Sequence, residues 1–255
     1  MRWLVMGWRD IAACGWVSFA HGLLMCVFGL TLMGLARNHF WLLAGAFSGF
    51  LVVAPVLATG LYALSRAIER GEPANARLVL QTWLSWRQHG SSPDGKDWRL
   101  VQFGLLLALA ATGWVLTSAA LITLLAPAPI QNPLDFIRFV VLAPENYLFE
   151  IWLALGGLMA APIFASSAIA LPLLLDRRIS VLQAVLTSWR AVLTNPVPMA
   201  WWAALIMGFS LLGIASALLG LIAVVPMLGH ASWHAYQDLV DAKQLPARTQ
   251  ETGCA

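Results

Sequence analysis

His230 and His234 are four residues apart, and Tyr236 and Asp238 follow them. On a helix that spacing places both imidazoles on one face. Imidazoles so placed can share a metal ion, and a transmembrane histidine can ligate haem. His21, in another apolar stretch, is the remaining intramembrane imidazole. His21, His230 and His234 are the candidates for a metal or haem, and they fall short of a site. No HExxH, acidic cluster or third ligand at close spacing accompanies them. Hydrogen bonding near the membrane boundary explains the pair without a cofactor, so no cofactor and no metal is assigned. His39 and His89 fall in loops.

Nucleophilic chemistry finds less support. Ser166 and Ser167 sit in an apolar stretch without a nearby base. The segment from Gly90 to Asp97 lacks the spacing of a phosphate-binding loop and reads as a turn. Intramembrane proteolysis would need a GxSG-type serine with a histidine, or paired aspartates. The expectation is a protein that is not an enzyme. No Asp, Glu, Lys or Arg is expected well inside an apolar run, which argues against transport coupled to protons or ions.

The elements that must hold these residues follow from composition. Of 255 residues, 60% are hydrophobic and 11% are charged, and the mean hydropathy is +0.77. A soluble domain carries about 25% charge. This chain cannot build a water-facing surface, which excludes a soluble enzyme, a disordered chain and a secreted disulfide scaffold. Its solvent is a bilayer. The net charge of +3 is sparse and confined to short loops, so no nucleic acid is implied. Cys14, Cys26 and Cys254 form no CxxC pair. Ile11-Ala12-Ala13-Cys14 matches the end of a lipoprotein signal, but Arg9 and Asp10 occupy the place of its apolar region. A second apolar run follows the first at once, so no cleaved leader is expected.

A spanning helix needs about 20 apolar residues. The charge-free runs predict an all-α, polytopic transmembrane bundle, a single domain over 1–255, with about six spans at 17–36, 40–63, 101–125, 151–174, 197–217 and 221–239. The last run, 191–237, would be roughly 70 Å of helix, more than twice the hydrocarbon thickness. It must fold back, with Gly213, Gly220 and Pro226 as candidate breakers. With the N-terminus inside, thirteen of the fifteen Lys and Arg fall on the cytoplasmic side. Arg37 and Arg138 are the exceptions. A five-span reading with the tail outside is less consistent and stays open. Most of the 13 tryptophans fall at the two boundaries, Trp41 and Trp152 outside and Trp3, Trp8, Trp83, Trp86, Trp98 and Trp189 inside.

Cytoplasmic amphipathic segments are predicted at about 66–99 and 176–194, able to lie in the interface. Trp8-Arg9, Trp86-Arg87 and Trp189-Arg190 share one core. Ala54-Pro55, Ala161-Pro162 and Val225-Pro226 each precede apolar, small and polar residues in the same order. Both patterns predict a threefold internal repeat of interfacial helix, span, outer turn and span. The middle copy is enlarged by an outer segment, 126–149, with a short surface helix between Pro133 and Pro144.

Three stretches carry a resemblance: Gly7-Trp8-Arg9-Asp10, then Leu61-Tyr62-Ala63-Leu64-Ser65-Arg66 with Glu72-Pro73, and Gly229-His230-Ala231-Ser232-Trp233-His234 running on to Val240. With the Ala54-Pro55 kink they resemble a bacterial family of predicted integral membrane proteins catalogued as a domain of unknown function, the DUF2189 type, over nearly the whole chain. The resemblance implies an inner-membrane location and no known activity. Some relatives carry labels as respiratory oxidase subunits, which the five histidines here do not support.

The leading expectation is a non-enzymatic accessory or envelope-associated protein of the bacterial inner membrane, both termini cytoplasmic, in contact with lipid and with a membrane-protein partner. One alternative is a channel or uncoupled carrier for a neutral or apolar solute. It predicts a cavity near Pro55, Pro162 and Pro226 faced by Thr59, Ser166 and His230. Another is a haem or metal protein using His230 or His234 with His21.

Overall fold

The computed structural model describes residues 2–36, 57–84, 98–143, 147–242 and 245–246. Among them every regular element is helical. The order is α1 (Arg2–Cys14), α2 (Trp16–Ala36), α3 (57–69), α4 (Ala76–Trp83), α5 (Arg99–Leu125), α6 (Pro133–Phe136), α7 (Leu148–Ser167), α8 (Ala170–Asp176), α9 (Val181–Thr194), α10 (Pro196–Ala215) and α11 (Leu221–Leu239). A π-type turn, Ile137–Val141, extends α6.

Four stretches are long and apolar enough to cross a bilayer: Trp16–Leu35, Arg99–Leu125, Leu148–Asp176 and Pro196–Ala215. Many of their leucines face outward, as on α5, where Leu105, Leu109, Leu116 and Leu124 are exposed, while those of α8 are buried. Outward apolar faces suit lipid and would be unstable in water. The sequence pattern predicts six spans. Of the second, residues 40–56 lie outside the described residues, Pro55 among them, and 57–63 are helical. The sixth is helical from Leu221 to Leu239, but its second half is polar, and the protein rather than lipid surrounds it.

Prolines shape the third of these stretches. Pro162 is held inside α7. Between α7 and α8 the helix breaks at Ala168 and Ile169, because Pro172 has no N–H for the carbonyl of Ala168. The freed Ile169 N–H donates instead to Ser188 Oγ of α9 at 3.1 Å.

The fold-back in the last apolar run lies at Ser216–Gly220. Neither Gly213 nor Pro226 makes it, since both lie inside helices. Ala217 and Leu218 carry the positive φ, at 54° and 69°. Ser216 Oγ accepts from Gly220 N–H at 2.7 Å and donates to Gly213 C=O at 2.8 Å. Those two bonds, and the burial of Leu218 against Gly29, hold a backbone that non-glycine residues otherwise avoid.

α11 is the central helix, packing most extensively on α1 and α2. Lipid gives no hydrophobic drive for helices to associate, so close contact must do it. A Cβ at Gly22 would fall on the Ile222 backbone, and one at Gly7 on the Ala231 backbone. Only glycine lets these backbones meet.

The charged ends of the helices gather at one end of the bundle. Arg66 Nη1 donates to Leu175 C=O at 3.0 Å, and Arg99 Nη1 to Ile179 C=O at 2.9 Å. Asp176, buried, accepts from Tyr236 Oη and Arg177 Nε, both at 2.9 Å, and pairs with Arg70 Nη2 at 3.3 Å. Trp3 Nε1 donates to Asp238 at 3.0 Å. At this end lie the amphipathic helices. α9 starts with a capping box between Ser180 and Gln183. It turns Ala184, Ser188 and Ala191 inward and leaves Leu182, Leu186, Trp189 and Leu193 bare. α1 buries Gly7, Asp10, Ile11 and Cys14 and exposes Val5 and Trp8. At the opposite end, Val140, beside α6, packs with Ile122, Ile130 and Leu148.

Candidate functional site

Periodicity places the site. On α1, Gly7, Ile11 and Cys14 define a buried face, and Asp10 belongs to it. On α3, Leu61, Leu64 and Ser65 are buried. On α11, Gly229, His230, Trp233 and His234 face inward together. These three faces converge, and Ser18 of α2 closes the group.

The hydrogen bonds form one directed chain. Ser65 Oγ donates to Asp10 Oδ2 at 2.5 Å. With its single proton committed there, Ser65 accepts from Nδ1–H of His230 at 2.7 Å. The Nε2 of His230 is then an acceptor, and the Ser18 hydroxyl donates to it at 2.9 Å. From the other side, His234 Nε2 donates to the same Asp10 oxygen at 2.8 Å. Asp10 is 7% exposed, and His230, Ser18 and Ser65 are at 0%. Each polar atom along the chain meets another, which offsets most of the cost of burying it.

The ends of the chain differ. Ser18 ends it inside the bundle. His234 Nδ1 is buried and finds no hydrogen-bond partner among the described residues. It faces Glu69 Oε1 across 3.7 Å. Burial pushes the Glu69 carboxyl above the usual carboxylate range, and the nearby Asp10 and Asp176 add to that. Burial likewise raises the Cys14 thiol, making it a poor nucleophile.

His21 stands apart from this chain. Its Nδ1–H donates to Val17 C=O at 2.9 Å. Its Nε2 is unpartnered among the described residues, as is Nε1 of Trp83. The two rings meet edge to face, 5.4 Å between centroids. Gly60 lies against both, and a Cβ there would fall 2.6 Å from His21 Nε2. Trp83 is thus turned into the bundle, where the sequence pattern places it at the boundary.

His230 and His234 do share a face, but their partners are hydroxyls and a carboxylate. No group of three or more His, Cys, Asp or Glu side chains among the described residues is arranged to hold a metal. Ser18, hydrogen-bonded to an imidazole with a carboxylate beyond it, has the order of a nucleophilic triad. Its complete burial leaves no room for a reacting carbonyl. A groove of about 240 Å³ between α5, α7 and α9 is lined by Phe103, Leu107, Pro162, Ser166 and Val185 among others. Trp189 Nε1 donates to Ser166 Oγ at 2.9 Å. The groove does not include Thr59, His230 or Pro226, which are buried elsewhere. Of the residues expected around a common cavity, Pro162 and Ser166 line this groove, and Pro55 lies outside the described residues. Asp10, which the sequence places ahead of the first span, is a buried member of the site.

Residues 42–176 match the family model described as predicted integral membrane protein, DUF2189. The chain belongs to this family. The matched region carries Ser65, Glu69 and Asp176; α1 and α11 lie outside it. No curated protein and no solved structure matches the chain. For a DUF2189 protein the geometry adds what the family description lacks, a polar centre. It brings Asp10, Ser65, His230 and His234 to one place; of the three stretches on which the resemblance was drawn, that of Ser65 lies within the matched residues and the other two lie outside them.

Sequence reasoning missed Asp10, Ser65, Ser18 and Glu69. Asp10 had a signal, since it sits three residues after Gly7 on an otherwise small and apolar helical face. Ser65 and Glu69 had none of their own, because many serines and glutamates occupy such boundaries.

Proposed function

We propose that this DUF2189 protein is a non-enzymatic accessory protein of the bacterial inner membrane, with both termini cytoplasmic and a threefold-repeated, six-span plan. The closed hydrogen-bond chain of Asp10, Ser65, His230 and Ser18 carries this reading. Its polar atoms are spent on each other, as in a clamp that fastens α1, α3 and α11 rather than a site awaiting substrate. The charged end supports the orientation, since Arg2, Arg66, Arg70, Arg99 and Arg177 all lie there and the positive-inside rule puts that end in the cytoplasm. The element order supports the repeat, with a short amphipathic helix ahead of each of α2, α5 and α10. The outward leucine faces would meet lipid and a membrane-protein partner.

The test is mild cross-linking in native membranes followed by purification of the intact chain. A stoichiometric membrane-protein partner is the expected result. The same preparation is then assayed for haem absorbance, metal content and solute flux in liposomes. A Soret band, bound metal lost with His230→Ala and His234→Ala, or flux by the chain alone would overturn the reading in favour of the cofactor or carrier alternatives.

A further inference from the structure

We propose that Glu69 and His234 form a proton-binding site, with Asp10 holding the far side of the imidazole and Glu69 as its mouth to the solvent. The argument starts from an unfinished contact. His234 donates through Nε2 to Asp10 at 2.8 Å. A neutral imidazole then presents the lone pair of Nδ1, buried and unpartnered among the described residues, toward Glu69 Oε1 at 3.7 Å. Two lone pairs face each other across a gap that a single proton would close. The proton has two places to sit. On Nδ1 it makes an imidazolium that donates to the Glu69 carboxylate while Nε2–H still donates to Asp10. On Glu69 it makes a carboxyl that donates to Nδ1. Both are one protonation state of the pair, which titrates as a unit.

The surroundings suit a site that is loaded and unloaded. The Glu69 side chain is 38% exposed and that of His234 is 5% exposed, so protons enter by way of Glu69. The groups facing the pair come from every helix packed there. α1 brings Asp10, and α3 brings Glu69 itself. On the same segment Arg66 donates to Leu175 C=O and Arg70 pairs with Asp176. α8 brings Asp176 with Arg177 held on it. α11 brings His230, whose Nδ1 is 3.8 Å from Asp10, while His21 of α2 stands apart, on Val17 C=O. α10 contributes no charge. Loading the proton ties α3 to α11, an ion-paired contact between two segments that the Asp10 clamp already joins. The inference does not depend on the accessory-protein reading, because it concerns proton binding alone.

The experiment counts protons bound by the purified full chain in nanodiscs as the medium is taken from neutral to mildly acidic. It compares wild type with Glu69→Gln, His234→Gln, the double variant, and Glu72→Gln as an exposed control. Glu69→Gln is expected to lose about one proton per chain over that range relative to Glu72→Gln. His234→Gln should lose the same proton, and the double variant no more than either single one. Losses that add in the double variant, or a Glu69→Gln chain that titrates like Glu72→Gln, would overturn the proposal. Should His234→Gln fail to fold, the Glu69 and Glu72 comparison decides alone, since Glu69 is partly exposed and tolerates an isosteric amide.

Discussion

Replacing Asp10 by alanine removes the acceptor on which two buried donors converge, Ser65 Oγ at 2.5 Å and His234 Nε2 at 2.8 Å. A side-chain hydrogen bond between membrane helices contributes about 0.6 kcal/mol on average and up to about 1.7. Leaving a buried donor without any partner costs about 1–3 kcal/mol more. Both donors are orphaned together, so the variant should lose about 2–5 kcal/mol of stability. Asp10→Asn keeps the shape and can leave its carbonyl oxygen on both donors, but it removes the charge that strengthens those bonds, and should lose about half as much. The assay is reversible unfolding in mixed micelles by rising SDS fraction, followed by tryptophan fluorescence. Values for both variants within about 0.5 kcal/mol of wild type would refute the reasoning. That outcome would mean Asp10 is hydrated rather than held between α3 and α11.

Other substitutions test other contacts. Gly60→Ala should cost about 1–3 kcal/mol in the same unfolding assay, because its Cβ meets His21 Nε2 at 2.6 Å and Trp83 Nε1 at 3.1 Å. Pairing it with His21→Ala should recover part of that loss, and no recovery would place the clash elsewhere. Asp176→Asn weakens the joint of Tyr236, Arg177 and Arg70 and should cost about 1–3 kcal/mol. Glu69 gives a pH test of definite sign. Its carboxyl is raised in the folded protein, so the stability held below the usual glutamate range is lost as pH rises through the raised value. Glu69→Gln should flatten that fall in a stability–pH profile, and an unchanged profile would contradict it. A spin label at Leu186 of α9 should report a lipid environment accessible to oxygen, since that leucine is exposed on the bare face; a water-like spectrum would deny α9 its place in the interface.

Much of the architecture was legible because bilayer thickness is a strong constraint. The expected spans at 17–36, 101–125 and 197–217 lie within two or three residues of α2, α5 and α10. The amphipathic reading of 176–194 corresponds to α9, whose capping box is plain in the sequence. What was not legible came from three-dimensional closure. Asp10 and Arg9 are neighbours in sequence and equally charged in a composition count, yet one is buried and the other exposed. Only the helical phase of Gly7, Ile11 and Cys14 separates them. The fold-back at Ala217 and Leu218 defied the glycine rule because Ser216 and the burial of Leu218 stabilise it locally. The i, i+4 pairing of His230 and His234 was correctly placed on one face, while its partners, from α1, α2 and α3, are distant in sequence.

The closed polar chain is tested most directly by the histidine tautomers. In nitrogen-15 spectra of the histidine-labelled chain in nanodiscs, assigned by single substitutions, His230 should carry its proton on Nδ1. That proton should exchange slowly with water, and His234 should carry one on Nε2. A His230 protonated on Nε2, or one whose ring proton exchanges freely, would contradict a chain running from Ser18 through Ser65 to Asp10.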